Sequence, residues 1–150
     1  MRQVLFVCTG NTCRSSMAEG LFKDILDRKE IRNIKVDSAG VFAMEGSRAS
    51  KEAIEILKKE GIDISSHRAK MVNKELLDGS DLILTMTRSH KDALINNYSG
   101  VQGKVYTLKE YAFGLEEDIM DPYGMGLRAY EESKKEIEEA LEKIAEKIQE

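Results

Sequence analysis

Strand-like and helix-like segments alternate along this chain, and no other feature constrains its fold as much. The apolar run Val4–Val7 is followed by Ser15–Arg28, where Ala18, Leu21, Phe22, Ile25 and Leu26 recur on one helical face. Ile34–Ala39 reads as a second strand closed by Gly40. Ser50–Glu60 reads as a helix with Ala53, Ile54 and Leu57 inward, Ser50 as its N-cap and Gly61 as its stop. Asp81–Thr85 predicts a third strand that leads into a helix over Ser89–Asn97. Lys104–Thr107 predicts a short fourth strand, and Leu127–Ile148 a long helix with Ile137, Leu141, Ile144 and Ile148 along one face. Strands separated by helices favour a parallel sheet covered on both faces, because each crossover must carry the chain back to the starting edge. Ligands of such sheets bind outside the carboxyl ends of the strands. The loop at Cys8 and the Thr85–His90 region both lie at that end.

Composition narrows the function. At 150 residues the chain predicts one domain. Its net charge of −4, with no dense Lys/Arg block, argues against a nucleic-acid partner. No apolar run reaches membrane-spanning length, and the N-terminus lacks a signal-peptide pattern, so no membrane association and a cytoplasmic location are expected. The two cysteines, Cys8 and Cys13, lie five apart in one loop, which is no disulfide framework. His67 and His90 are far from them in sequence, and no zinc spacing is met, so no metal is expected.

The segment Cys8-Thr9-Gly10-Asn11-Thr12-Cys13-Arg14-Ser15 joins the first strand to the first helix. A helix starting near Ser15 directs unpaired N–H groups and the positive end of its dipole into this loop. Gly10 permits the tight backbone such a loop needs. A curl of N–H donors at a helix N-terminus suits phosphate, yet no Gly-Lys-Ser/Thr follows, so this is not a nucleotide loop. Cys8 at the entry and Arg14 at the exit suggest chemistry instead. The donors and the guanidinium favour thiolate at Cys8, a nucleophile toward phosphorus. Arg14 offers a planar fork for two phosphate oxygens. Hydroxyls at Ser15 or Ser16 are candidates to donate to the Cys8 sulfur. Asp121 precedes the chain's single proline, Pro122, which stiffens that loop and makes Asp121 the candidate acid for the leaving group. Tyr123 is placed to wall an aromatic slot.

Val7 through Ser15, together with Asp121-Pro122-Tyr123, resembles the low-molecular-weight protein tyrosine phosphatase family. Asp37-Ser38-Ala39-Gly40, Ser66-His67-Arg68-Ala69 and Asp81 through Met86 are further blocks in the expected order, so the resemblance covers the whole chain. It implies an α/β fold: a single three-layer domain over residues 1–150, with a four-stranded parallel sheet, helices on both faces and a phosphate-binding loop after the first strand. It implies phosphate binding by Thr9, Gly10, Asn11, Thr12, Cys13, Arg14 and Ser15. Cys8 is then the nucleophile of a cysteinyl-phosphate intermediate, Arg14 the clamp, and Asp121 the acid and later the base. A network of Asn11, Ser15, Ser38 and His67 would support the loop. The resemblance also makes Cys13 the partner that traps oxidised Cys8 as a reversible disulfide. No cofactor is implied. The partner is a phosphorylated protein, and a monomer is expected. His90 receives no role from either reading.

Two residues depart from the tyrosine-specific pattern. Ser16 stands where many members have proline, which mainly pre-sets backbone geometry. Thr12 stands where those members carry a bulky aliphatic residue, and in this it resembles the bacterial protein-arginine phosphatase branch. Phosphoarginine is therefore the favoured substrate, with Thr12 as selector. Phosphotyrosine is the alternative, since Tyr123 could stack on a phenyl or a guanidinium plane. An arsenate reductase would need relay cysteines that this chain lacks. A phosphocarrier would not need Arg14 together with Asp121, and a non-catalytic phosphoprotein scaffold would not need the full set of reactive residues.

Overall fold

All four predicted strands join one parallel sheet in the computed structural model, which describes residues 2–149. The strands are β1 (Arg2–Cys8), β2 (Ile34–Gly40), β3 (Leu82–Thr85) and β4 (Val105–Thr107), in the spatial order β2-β1-β3-β4. The helices are α1 (Arg14–Arg28), α2 (Lys51–Lys58), α3 (Lys74–Asp78), α4 (Arg88–Asn97), α5 (Leu108–Phe113) and α6 (Leu127–Gln149). Expected boundaries hold to within about two residues, the usual ambiguity of element ends. Ser50 caps α2 as expected, its side chain accepting from the Ala53 N–H.

Side-chain alternation along β1 divides the core. Val4, Phe6 and Cys8 face one layer with α1, α2, α5 and α6, while Leu5 and Val7 face the other with Leu77 of α3 and Leu94 of α4. Both faces of β1 are therefore covered, which is why its sequence is continuously apolar. On the first face Phe6 meets Phe22 of α1 edge to face, with ring centroids 5.6 Å apart. α6 packs on α1, α2 and α5 through Ile137, Leu141, Ile144 and Ile148, as its periodicity predicts, with Tyr130 and Ala140 also buried. No helix among the described residues is long and apolar enough to cross a membrane.

Two short helices, α3 and α5, were not expected from periodicity. Each begins with a cap. The Asn73 side chain accepts from the Leu76 N–H, and Thr107 with Glu110 forms a reciprocal capping box. The order β2-β1-β3-β4 places β1 where the chain changes direction across the sheet. The crevice beyond its carboxyl end is thus a topological switch point. Residues 9–13 occupy it.

Candidate active site

Gly40 pairs with Cys8 across β2 and β1, and this pairing shapes the loop. A Cβ at Gly40 would lie 2.4 Å from the Thr9 carbonyl oxygen and 3.1 Å from the Asn11 nitrogen, so only glycine lets the loop sit this close. Asn11 adopts φ 59°, in the left-handed region that asparagine tolerates better than most residues. The loop then enters α1 with Cys13 at the N-cap, where no side chain caps the helix and no acidic residue occupies the first turn. The amide end of α1 therefore meets the loop without an internal counter-charge.

Asn11 is fully buried and fully paired. Its Oδ1 accepts from the Lys70 N–H at 3.0 Å, which fixes the orientation of the amide. Its Nδ2 then donates to Ser15 Oγ at 2.8 Å and to Ser38 Oγ at 2.9 Å. Each serine, having accepted from Asn11, has its own hydrogen free to pass on. Ser38 donates to Glu19 Oε1 at 2.5 Å, and Ser15 Oγ lies 2.9 Å from Cys8 Sγ, to which it donates when the sulfur is a thiolate and can only accept. The Lys70 bond thus sets the direction of both Asn11 amide donations, and the charge on the sulfur sets the direction of the last bond. Ser16, the other candidate donor, turns away and donates to the Cys13 carbonyl at 2.9 Å. His67 Nε2 lies 2.7 Å from the Asn11 carbonyl, which can only accept, so this nitrogen carries the hydrogen.

Arg14 is buried at the first position of α1. Its Nη1 donates to the Ile119 carbonyl at 2.8 Å, and its Nη2 lies 3.8 Å from Asp121 Oδ2. Asp121 is largely exposed, and its Oδ1 accepts from the Tyr123 N–H at 3.1 Å, a turn that holds the carboxylate over the loop. A cleft of about 220 Å³ results. Cys8 and Arg14 lie among its lining residues with Asp121, and Thr9, Gly10, Thr12, Cys13 and Tyr123 complete the lining. Tyr123 is 71% exposed, so its ring rims the cleft rather than filling it. Among the described residues, no three His, Cys, Asp or Glu side chains converge as a metal cluster.

The sequence-predicted residues thus fall in two shells. Cys8, Thr9, Gly10, Thr12, Cys13, Arg14, Asp121 and Tyr123 line the cleft, while Asn11, Ser15, Ser38 and His67 hold it from behind. Both cysteines are free and buried. Tyr130 Oη lies 3.1 Å from Cys13 Sγ, and burial, reinforced by that contact, pushes the tyrosine hydroxyl above its usual range. Several further residues carry no local signal in the sequence. Glu19 receives Ser38, pairs with Lys23 at 2.7 Å and lies 3.8 Å from His67 Nδ1. Phe42, 80% exposed, donates its N–H to the Thr9 carbonyl at 2.9 Å. His90 approaches Thr9 Oγ1 to 2.8 Å, a contact that no motif in the sequence points to.

Known proteins resemble this chain over nearly its whole length. Residues 3–150 match the family model described as low molecular weight phosphotyrosine protein phosphatase. A protein-arginine-phosphatase of Geobacillus stearothermophilus is 42% identical over 147 residues, covering 98% of this chain and 96% of that protein. The crystal structure of a low molecular weight protein tyrosine phosphatase from T. tengcongensis is 50% identical, with TM-score 0.93 over 98% of this chain and 99% of that one. A mutant of the YwlE arginine phosphatase with a phosphorylated active-site serine superposes with TM-score 0.96 at 39% identity, over 99% of this chain and 96% of that one. This chain belongs to the low molecular weight phosphotyrosine protein phosphatase family.

Proposed function

We propose that this protein is a metal-independent protein-arginine phosphatase that works through a cysteinyl-phosphate intermediate. The observation that carries the reading is the meeting of Cys8, Arg14 and Asp121 in one cleft, with Ser15 Oγ 2.9 Å from the Cys8 sulfur. In the first step the Cys8 thiolate attacks phosphorus. The P–S bond forms, the P–N bond to the substrate guanidine breaks, and the Asp121 proton goes to the leaving nitrogen. Arg14, anchored through Ile119, spreads its remaining N–H groups over the transferring phosphoryl oxygens. In the second step Asp121, now a carboxylate, takes a proton from water as that water attacks phosphorus. The P–S bond breaks, and the sulfur leaves as a thiolate stabilised by the Ser15 hydroxyl.

Choice of phosphoarginine rests on Thr12, a small polar residue in the cleft wall, and on the arginine-phosphatase name of the Geobacillus relative. The exposed Asp121 carboxylate also suits a guanidinium leaving group, which it can orient as well as protonate. A second reading, phosphotyrosine, is favoured by the name of the 50%-identical T. tengcongensis structure. The test compares kcat/KM on a phosphoarginine protein and a phosphotyrosine peptide in chelator, with Cys8→Ser as the inactive control. Preference for phosphoarginine that shrinks at least tenfold in Thr12→Ile is the expected result. Preference for phosphotyrosine in the wild type would refute the substrate assignment and leave the cysteine chemistry standing.

A further inference from the structure

His90 is the third residue of α4, 6% exposed, and its two ring nitrogens are treated very differently. Nε2 lies 2.8 Å from Thr9 Oγ1. Nδ1 is buried with no partner, and it stands alone in this among the side-chain nitrogens and oxygens of the described residues. The two neutral tautomers therefore differ in cost. If the hydrogen were on Nδ1, a buried N–H donor would be left unsatisfied, an arrangement proteins almost never keep. With the hydrogen on Nε2, the bond to Thr9 is made and only a bare lone pair is left on Nδ1. The second tautomer is the stable one, so Nε2 donates and Thr9 Oγ1 accepts. A hydroxyl that accepts on one side has its own hydrogen free on another, and Thr9 is a wall of the cleft that holds Cys8 and Arg14.

We infer that His90 is a positioning residue: it fixes the Thr9 hydroxyl so that the Thr9 hydrogen is donated into the cleft, to an oxygen of the bound phosphoryl group. The inference rests on the phosphatase reading for its ligand. Thr9 is held at both ends for this role. Its carbonyl, pressed close to Gly40, accepts from the Phe42 N–H at 2.9 Å, and its hydroxyl is held by His90. α4 in turn is tied to the acid loop, because the Arg88 N–H donates to Asp118 Oδ1 at 2.9 Å. The imidazole is also neutral at physiological pH. Burial first, then the nearby Arg14 guanidinium, push its pKa down to about 4 against the opposing pull of Asp118 and Asp121. A neutral ring in the Nε2–H form is what the donation requires.

Imidazole 15N spectroscopy of the free protein at pH 7 reads the tautomer directly. A protonated Nε2 with a bare Nδ1 at His90 is expected, and an Nδ1–H form would overturn the inference. Kinetics test the consequence. Thr9→Val, which keeps shape and removes the hydroxyl, is expected to lower kcat/KM by about 10- to 100-fold, the range for a lost hydrogen bond to a charged group. Thr9→Ser should recover most of it. His90→Leu is expected to cost a comparable factor in the wild-type background and nearly nothing in Thr9→Val. His90→Gln, whose amide nitrogen can reach the Nε2 position, should restore activity. Full additivity of the two losses would mean that His90 acts only through packing, and would overturn the inference. Should the wild type hydrolyse no phosphorylated substrate, the phosphatase reading falls. The tautomer and the affinity for inorganic phosphate, expected to weaken about tenfold in Thr9→Val, then still decide the role of His90.

Discussion

Lowering the pH should destabilise this protein through His90 before it reaches most carboxylates. The imidazole is held neutral by burial, and its pKa falls from an ordinary 6.5 to about 4. Between those values the unfolded chain takes up a proton that the folded chain refuses. The unfolded state therefore binds more protons, and stability falls as the pH drops through this window. Each pH unit of the gap is worth about 1.4 kcal/mol, so the full gap sets a ceiling of about 3.4 kcal/mol. At pH 5, where the unfolded residue is already mostly protonated and the folded one hardly at all, the loss is about 2 kcal/mol relative to pH 7. For a chain of this length that lowers Tm by about 4–8 °C. Asp78 and Glu110, whose pKa values are held low by hydrogen bonds from Lys74 and Lys91, add an acid loss of the same sign at lower pH. The assay must therefore be a difference. Wild type and His90→Gln are unfolded by heat or denaturant at pH 7, 6 and 5, and the variant lacks the His90 contribution. Expected is a stability gap between the two proteins that closes by about 2 kcal/mol from pH 7 to pH 5. A gap that stays constant over that range would refute the burial argument, as would an NMR titration of His90 near 6.5.

Two substitutions probe the loop more bluntly. Gly40→Ala places a methyl 2.4 Å from the Thr9 carbonyl, a backbone atom that cannot swing aside, so the loop must shift. It should cost about 1–3 kcal/mol in denaturant unfolding and more than tenfold in kcat/KM, and an unchanged kcat/KM would show that the loop tolerates the displacement. Cys13→Ser tests the redox role of the second cysteine. Peroxide converts Cys8 to a sulfenic acid, and the Cys13 thiol condenses with it, forming the disulfide and releasing water. Without Cys13, activity regained on adding thiol after a peroxide pulse should drop sharply, and equal recovery in wild type and variant would remove Cys13 from redox control.

What the sequence discloses about this site follows from how the chemistry is distributed along the chain. Cys8 through Ser15 is one uninterrupted stretch from the end of β1 through the loop into α1, so the candidate nucleophile, the clamp and the hydroxyl beside the sulfur are visible together. Gly40 is legible as the close of β2, but its reason is not, because that reason is the Thr9 backbone on the neighbouring strand's loop. Glu19 shows the limit most clearly. In sequence it is an ordinary i,i+4 partner of Lys23 on the solvent side of α1. In the fold one of its oxygens receives Ser38 and faces His67, because the parallel register of β1 and β2 brings Ser38 opposite Phe6 and beneath α1. The short helices α3 and α5 escape a search for periodicity because five or six residues cannot complete two turns, although their caps at Asn73 and Thr107 are local signals.

The same distinction explains why substrate choice is harder to read than reaction type. Phosphoryl transfer needs groups that converge on phosphorus, and convergence leaves a mark: a directed chain of hydrogen bonds from the Lys70 N–H through Asn11 and Ser15 to the Cys8 sulfur. On the proposed reading, recognition of the leaving group falls to residues around the cleft. Thr12 lines the cleft wall, Tyr123 is mostly exposed, and Asp121 is held by one backbone turn and a 3.8 Å approach to Arg14. None of these is fixed by a network comparable to that of Asn11. On the reading proposed above, a residue such as Thr12, which has no part in the bonds from Lys70 to the sulfur, can exchange one phosphorylated side chain for another without removing those bonds.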